Sequence, residues 1–422
     1  MAVLFWGAPA AGHAALHSFV LLDFRAHDVG AELRLPIGEL EKAWHRPLVP
    51  EGADIVRLEG PALRAYVARY LHVETPEGIP WTVDLGELGY AIDDEVPFVS
   101  MQARLAPPPG ASPQAFVFSY DVIAHDVVSH IAWVAVRSDF ANGVFTGKPT
   151  VVGVIRTLRT SLLVDRTGGG DWRGFRGIVQ LGMQHIAEGT DHLLFLFTLL
   201  LSAPLVAVRR TNGAARWDGY GGLRASAVKL LRIVTAFTLG HSMTLIAASV
   251  GWLRLPGRPV EILIALSIVV SALHALRPLF PGREARIAGA FGLVHGMAFA
   301  SALAEIHLDP YRLALAIFGF NVGIELMQLF AIALVFPWLL MLAKTPAYSF
   351  VRWGGGVFAG LAALGWIAER AFRARNPMNA AVNGLGSHAV LLVAILAGLA
   401  LSTTGWSRLV SRRPRPPKPV QA

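Results

Sequence analysis

Long apolar segments constrain the fold of this chain more than any other feature. From residue 175 onward, about seven stretches are apolar over roughly 20 positions, enough for a helix to cross a hydrocarbon core about 30 Å thick. They lie at 175–202, 227–252, 260–278, 287–304, 313–342, 351–370 and 386–404. Only 16% of the chain is charged, against about one quarter in soluble domains. The sequence therefore predicts an all-α polytopic membrane bundle of about seven transmembrane helices over residues 175–404.

The residues ahead of the first apolar segment follow a different pattern. Short runs rich in β-branched and aromatic residues alternate with turn signals such as HDVG and APPPGASP. The clearest runs are Ser18–Phe24, Ala31–Ile37, Ala115–Ile123, His130–Arg137 and Thr150–Arg156. About 150 residues of this kind predict an all-β, sandwich-like domain over residues 15–166. The glycine-rich residues 167–174 predict a hinge before the bundle.

The two ends of the chain bear on its location. Residues 1–14, MAVLFWGAPAAGHA, combine an apolar stretch with small residues where a signal peptidase cuts, but they lack a basic start. They are either a cleaved signal peptide or an apolar N-terminal extension. A β-domain ahead of the first span is then expected outside the cytoplasm. Residues 405–422 are rich in proline and arginine, which predicts a disordered cytoplasmic tail near anionic headgroups.

The positions of the basic residues predict the same orientation. With the β-domain outside, the connections after the first, third and fifth spans are cytoplasmic. These connections carry Arg209, Arg210, Arg216, Arg224, Arg277, Arg283, Arg286, Lys344 and Arg352. The opposite connections carry fewer basic residues, as the positive-inside rule requires. We therefore expect a multi-pass protein of a bacterial-type plasma membrane, with its C-terminus inside and no nucleic-acid partner despite the net charge of +8.

The first apolar segment begins with a cluster of potential metal ligands. On a helix, His185, Glu188, Asp191 and His192 fall within about one third of the circumference. Acids and imidazoles at bilayer depth are costly unless they bind or move something. On a straight helix the two histidines are about 10 Å apart, so one ion contacts both only if Gly189 opens the helix.

Three later spans place further ligand-type residues near mid-membrane. They are His241 in the second span, His295 in the fourth and Glu325 in the fifth. The fourth span also carries small residues at four-residue intervals, which lets a neighbouring helix approach closely. These are Ala288, Gly292, Gly296 and Ala300. Because the chain has no cysteine, any metal must be held by nitrogen and oxygen. It also has no P-loop motif for a nucleotide.

The cluster lies in a motif, H-x-x-x-G-x-D-H-L-L, that resembles the signature of HupE/UreJ-type membrane proteins. Its positions are His185, Gly189, Asp191, His192, Leu193 and Leu194. The later stretches TAFTLGHSMTL, EILIALSIVVSA, FGLVHGMAFASAL and FNVGIEL resemble the longer branch of that family, which has an N-terminal extracytoplasmic domain. The chain departs from the short branch at Ile186, where proline is common, and in a second motif reduced to one histidine, His295.

The resemblance implies a role in metal handling. The family is associated with hydrogenase and urease maturation, and some members are regarded as nickel permeases. By that similarity, His185, Asp191 and His192 would carry metal recognition, and a metalloenzyme maturation protein would be a partner beside the lipid bilayer and the metal ion.

Three hypotheses follow from the sequence. The first is a permease for a divalent transition metal, nickel or cobalt before copper or zinc, since imidazole and carboxylate ligands suit these ions. The second is an intramembrane zinc hydrolase with three histidines and Glu188 as the base, although the sequence lacks HExxH. The third is a non-transporting metal-binding accessory or sensor protein.

Overall fold

The fold is described from a computed structural model of the chain. The described residues are 17–48, 54–93, 96–145, 149–209, 215–249, 251–253, 256–304 and 308–411. The predicted signal peptide and the end of the predicted tail lie outside these residues. The chain divides into two compact units, Met1–Gly177 with Ile306–Leu313 and Ile178–Glu305 with Ala314–Ala422. The domain boundaries expected from the sequence stay a prediction.

The N-terminal unit contains a mixed β-sheet region. Its strands are β1 (Ser18–Phe24), β2 (Val29–Pro36), β3 (Leu71–Glu74), β4 (Thr82–Asp93), β5 (Val96–Ala106), β6 (Ala115–Tyr120), β7 (Ile131–Asp139), β8 (Thr150–Arg156) and β9 (Ser161–Asp165). One sheet has the order β4-β5-β2-β1-β7-β8 and the other has the order β3-β6-β9. Strand β1 pairs antiparallel with β2 and parallel with β7.

Both sheets contribute to one apolar core. Strand β1 turns Val20 and Leu22 inward, and β6 turns Phe116 and Phe118 inward, in the alternation that a half-buried strand requires. Two helices, α1 (Ile37–Trp44) and α2 (Asp54–Tyr70), also pack on this core. The prediction of a β-rich region is confirmed, but the unit is not all-β. The sequence prediction did not include α1 and α2, and α2 contains Gly60 and Pro61 within its length.

One histidine is buried at the edge of the larger sheet. His130, just before β7, is 2% exposed, and its Nε2 is 2.9 Å from Ser18 Oγ. Burial lowers the pKa of His130 to about 4, although the nearby Glu39 carboxylate acts in the opposite direction. The imidazole is therefore neutral at neutral pH.

The helical region begins where the sheet region ends. Its helices are α3 (Asp171–Glu188), α4 (Thr190–Ser202), α5 (Leu223–Ser249), α6 (Gly257–Leu276), α7 (Glu284–Ala304), α8 (Pro310–Leu342), α9 (Ala347–Phe372), α10 (Met378–Ser387) and α11 (Ala389–Ser411). A hairpin of β10 (Leu205–Arg209) and β11 (Ala215–Tyr220) follows α4. The glycines of the predicted hinge lie just before α3, and Gly170 N donates to the carbonyl oxygen of Ala141 at 2.7 Å.

Among the described helices, α5, α6, α8 and α9 are long and apolar enough to cross a membrane. The pair α10–α11, bent by 76°, makes a fifth if it forms one span. The seven predicted spans are therefore not shown. The first predicted span is broken at Gly189, which leaves α4 with 13 residues, about 20 Å of helix.

Glycines let the helices around the polar residues approach closely. A Cβ at Gly292 or Gly296 of α7 would collide with the carbonyl oxygen of Phe237 or His241 on α5. This confirms the close approach predicted from the small-residue ridge of α7. A second approach, not predicted, joins α3 to α8, where a Cβ at Gly182 would collide with the carbonyl oxygen of Phe320.

Candidate metal centre

The break between α3 and α4 brings two histidines together. Gly189 has φ −73° and ψ 90°, so its ψ is outside the helical range. The ring centroids of His185 and His192 are 4.8 Å apart, much closer than the roughly 10 Å axial separation of these positions on a straight helix. The helix is therefore open at Gly189, which is the condition under which one ion can contact both histidines.

A third histidine completes a group with metal-ligand geometry. His241 of α5 joins His185 and His192, and one ring nitrogen from each lies within 4.8 Å of the others. Nitrogens bound at about 2.1 Å around one tetrahedral ion are about 3.4 Å apart, so small ring rotations close the site. His192 and His241 are 5% and 0% exposed. These three residues are called the histidine triad below.

Asp191 fixes the orientation of the His192 ring. Its Oδ1 accepts hydrogen bonds from the backbone N of His192 at 2.8 Å and from Nδ1 of the same residue at 2.9 Å. Because a carboxylate only accepts, Nδ1 carries the proton and Nε2 presents its lone pair. That Nε2 is buried and has no hydrogen-bond partner in the part of the chain that the structure describes. A carboxylate behind a histidine in this way is typical of metal-binding imidazoles.

His295 of α7 lies beside the triad in a similarly defined state. Its ring centroid is 5.0 Å from that of His192. The hydroxyl of Ser267 donates to the carbonyl oxygen of Ile264 at 2.7 Å, so it accepts from His295 Nε2 at 2.9 Å. The lone pair of His295 is then on Nδ1, which is buried and has no hydrogen-bond partner among the described residues. His295 is thus available as an additional nitrogen ligand.

Aromatic rings enclose these histidines. Phe320 stands 5.4 Å from His185, and Phe237 stands 5.2 Å from His295, between ring centroids. Neither nitrogen of His241 has a hydrogen-bond partner among the described residues. Unpaired buried polar atoms are costly and rare, and a bound metal ion would satisfy those gathered here. No sequence pattern singles out these aromatics, because phenylalanines are common throughout an apolar span.

Two predicted site residues are not part of this group. Glu188 is exposed and accepts a hydrogen bond from Gln184 Nε2 at 2.6 Å. Glu325 of α8 is half-buried and is not a member of the histidine triad. The structure brings together His185, Asp191, His192, His241 and His295. Metal binding by the seven predicted residues stays a prediction.

A separate cavity lies between the start of α6 and the end of α9. It has a volume of about 440 Å³ and is lined by Arg258, Glu261, Trp366, Glu369, Arg370 and Asn379. Arg370 Nε lies 2.8 Å from Glu261 Oε2, so these two lining side chains partly neutralise each other's charge. None of the triad residues lines it.

Residues 162–370 match the family model described as HupE / UreJ protein. Over these residues, the chain belongs to the HupE/UreJ family. The match extends from β9 to α9 and includes every residue gathered around the triad. The resemblance read from the sequence is confirmed, and a region of β-sheets precedes the matched part. No curated protein matches the chain closely enough to count as a relative.

The geometry at Gly189 makes a substitution there informative in this HupE/UreJ protein. A Cβ at Gly189 would lie 2.7 Å from both the carbonyl oxygen of His185 and Nδ1 of His192. We expect Gly189→Ala to displace the His192 ring from Asp191 and to weaken nickel binding by about tenfold or more, as loss of an orienting partner does. Calorimetric titration of the purified protein measures this. Gly398→Ala, in open space on α11, is the control. Equal affinities for the two variants would contradict the prediction.

Proposed function

We propose that this HupE/UreJ membrane protein is a permease for a divalent transition-metal ion, with nickel or cobalt favoured over copper or zinc. The buried histidine triad is the observation that carries the proposal. Imidazole nitrogens suit these ions, and the absence of thiolate ligands permits release. The link of the family to nickel and cobalt uptake supports the same ion class.

The electrostatics around the triad suit transient binding of a cation. Imidazoles bind a metal in their uncharged form, so the triad would supply ligand atoms without neutralising a double positive charge. Asp191 supplies one negative charge beside them, and the C-terminal end of α3 presents the negative end of its helix dipole to the break. Helices interrupted at mid-membrane form ion sites in many secondary transporters. Partial neutralisation favours entry of the ion without trapping it.

The same proposal includes a complete topology. We take α3–α4, α7 and α10–α11 as spans beside α5, α6, α8 and α9, which gives seven crossings. The N-terminal unit then lies outside the cytoplasm of a bacterial-type cell and the C-terminus lies inside. The excess of arginine in the β10–β11 hairpin and in the turn between α6 and α7 supports this orientation.

The topology is testable because the chain has no cysteine of its own. Glu77→Cys places a thiol in an exposed turn of the N-terminal unit, and Asp218→Cys places one on the exposed side of β11. We expect a membrane-impermeant maleimide to label the first in intact spheroplasts and the second only after permeabilisation. The reverse pattern would contradict the orientation.

The alternative of a zinc hydrolase gains no support from the site. Its proposed base, Glu188, is exposed and engaged by Gln184. Asp191, the acid beside the triad, accepts a hydrogen bond from Nδ1 of His192.

Metal uptake into sealed liposomes tests the permease proposal. Vesicles that contain the protein and a trapped nickel-sensitive dye should fill with nickel or cobalt faster than empty vesicles. His192→Ala should abolish the difference, while His388→Ala, an exposed histidine at the α10–α11 bend, should not. Equal rates with and without the wild-type protein would overturn the proposal.

A further inference from the structure

The strand order of the N-terminal unit brings three ligand-type residues to one sheet edge. His17 precedes β1 and His130 precedes β7, and these strands are parallel with Ser18 opposite Ala132. The starts of parallel neighbours lie at the same edge. Strand β2 runs antiparallel to β1, so its end lies there too, followed by the first turn of α1, which carries Glu39.

The side chains of His130 and Glu39 face each other at this edge. Nδ1 of His130 lies 3.6 Å from Oε2 of Glu39. The other ring nitrogen of His130 is engaged with Ser18 Oγ, so Nδ1 points toward the carboxylate. His17 directly precedes Ser18, whose Oγ lies 2.9 Å from His130 Nε2, so the backbone places His17 at the same sheet edge.

Two of these nitrogens are buried without hydrogen bonds. Nδ1 of His17 and Nδ1 of His130 have no hydrogen-bond partner within the ranges that the structure describes. A purely structural histidine would be expected to satisfy both of its nitrogens. Glu39 keeps Oε1 on Lys42 at 2.8 Å and turns Oε2 to the histidine.

We propose that His17, Glu39 and His130 form a second binding site for a divalent transition-metal ion. Two imidazole nitrogens and one carboxylate oxygen are a ligand set for zinc, nickel or cobalt. Ligand atoms bound at about 2.1 Å to a tetrahedral ion are about 3.4 Å apart, close to the separation of His130 and Glu39. In the proposed site, rotation of the half-buried His17 side chain would supply the third ligand.

The site is distinct from the histidine triad in residues and in unit. On the proposed topology it meets metal on the outer side, where it would collect the ion that the permease transports. That role rests on the proposed function, whereas the binding itself does not.

Metal stoichiometry of the full-length protein tests the inference. In equilibrium dialysis against cobalt, the wild-type protein should bind two ions per chain, and His130→Ala and Glu39→Gln should each bind one. His192→Ala should also bind one, and the His130→Ala/His192→Ala double variant none. His72→Ala, an exposed histidine of the same unit, should bind two.

The variants also separate the possible failures. Glu39→Gln keeps the side-chain volume and the Lys42 contact, so it tests the ligand set even if His130→Ala lowers the thermal stability. Wild-type stoichiometry in folded Glu39→Gln and His130→Ala proteins would overturn the second site. Loss of one ion in these variants without any uptake into liposomes would support the second site and contradict only the permease proposal.

Discussion

Replacing His192 with alanine is expected to weaken nickel or cobalt binding at the triad by about a hundredfold or more. Nε2 of His192 is buried, and the ring centroid of His192 lies 4.8 Å from that of His185 and 5.0 Å from that of His295. Removing this side chain takes away one of the three triad nitrogens and the ring that Asp191 orients. Titration in a His130→Ala background, which removes the proposed outer site, measures the triad alone.

Asp191→Asn separates charge from geometry at the same place. The amide oxygen can still accept the hydrogen bond from His192 Nδ1, and the side-chain volume is kept. Only the negative charge is lost, so affinity should fall by about ten- to a hundredfold while the fold is unchanged. His388→Ala is the matched histidine control. Wild-type affinity in folded His192→Ala and Asp191→Asn proteins would show that the triad does not hold the ion.

The second large effect is expected on stability. Gly292→Leu and Gly296→Leu should each destabilise the protein by about 3 kcal/mol, the upper part of the range for overpacking. At both positions the first added carbon meets a backbone carbonyl of α5, which cannot rotate away as a side chain can. The two helices must then separate, which also moves His241 away from His192.

Thermal unfolding in detergent measures this loss. Gly354→Leu on α9 is the control, because nothing lies within 4 Å of a Cβ there. We expect the control to unfold near the wild-type temperature and the two α7 variants to unfold well below it. If all three variants unfold at the same temperature, the close packing of α5 on α7 is not a source of stability.

Local sequence patterns predicted much of the fold. The predicted runs Ser18–Phe24 and Thr150–Arg156 coincide with β1 and β8, because alternation and turn signals act over a few residues. The apolar segments coincide with helices, and the need for an opening at Gly189 followed from the spacing of His185 and His192 alone.

Contacts between distant segments were not predictable in this way. The parallel pairing of β1 with β7 places His17 near His130 across more than a hundred residues, and no local pattern encodes it. The bond between Ser267 and His295 likewise depends on how α6 packs beside α7. Helical spacing placed Glu188 with the histidines, whereas its side chain is exposed and accepts a hydrogen bond from Gln184 in the preceding turn of α3.

X-ray absorption spectroscopy of the nickel-loaded protein tests the central claim most directly. In a His130→Ala background, the spectrum should show a shell of nitrogen and oxygen with the scattering of at least three imidazoles. His185→Ala and His241→Ala should each retain less nickel or lose one imidazole from the shell, and His388→Ala should do neither. A nickel shell with the same imidazole count in all of these variants would contradict the assignment of the triad.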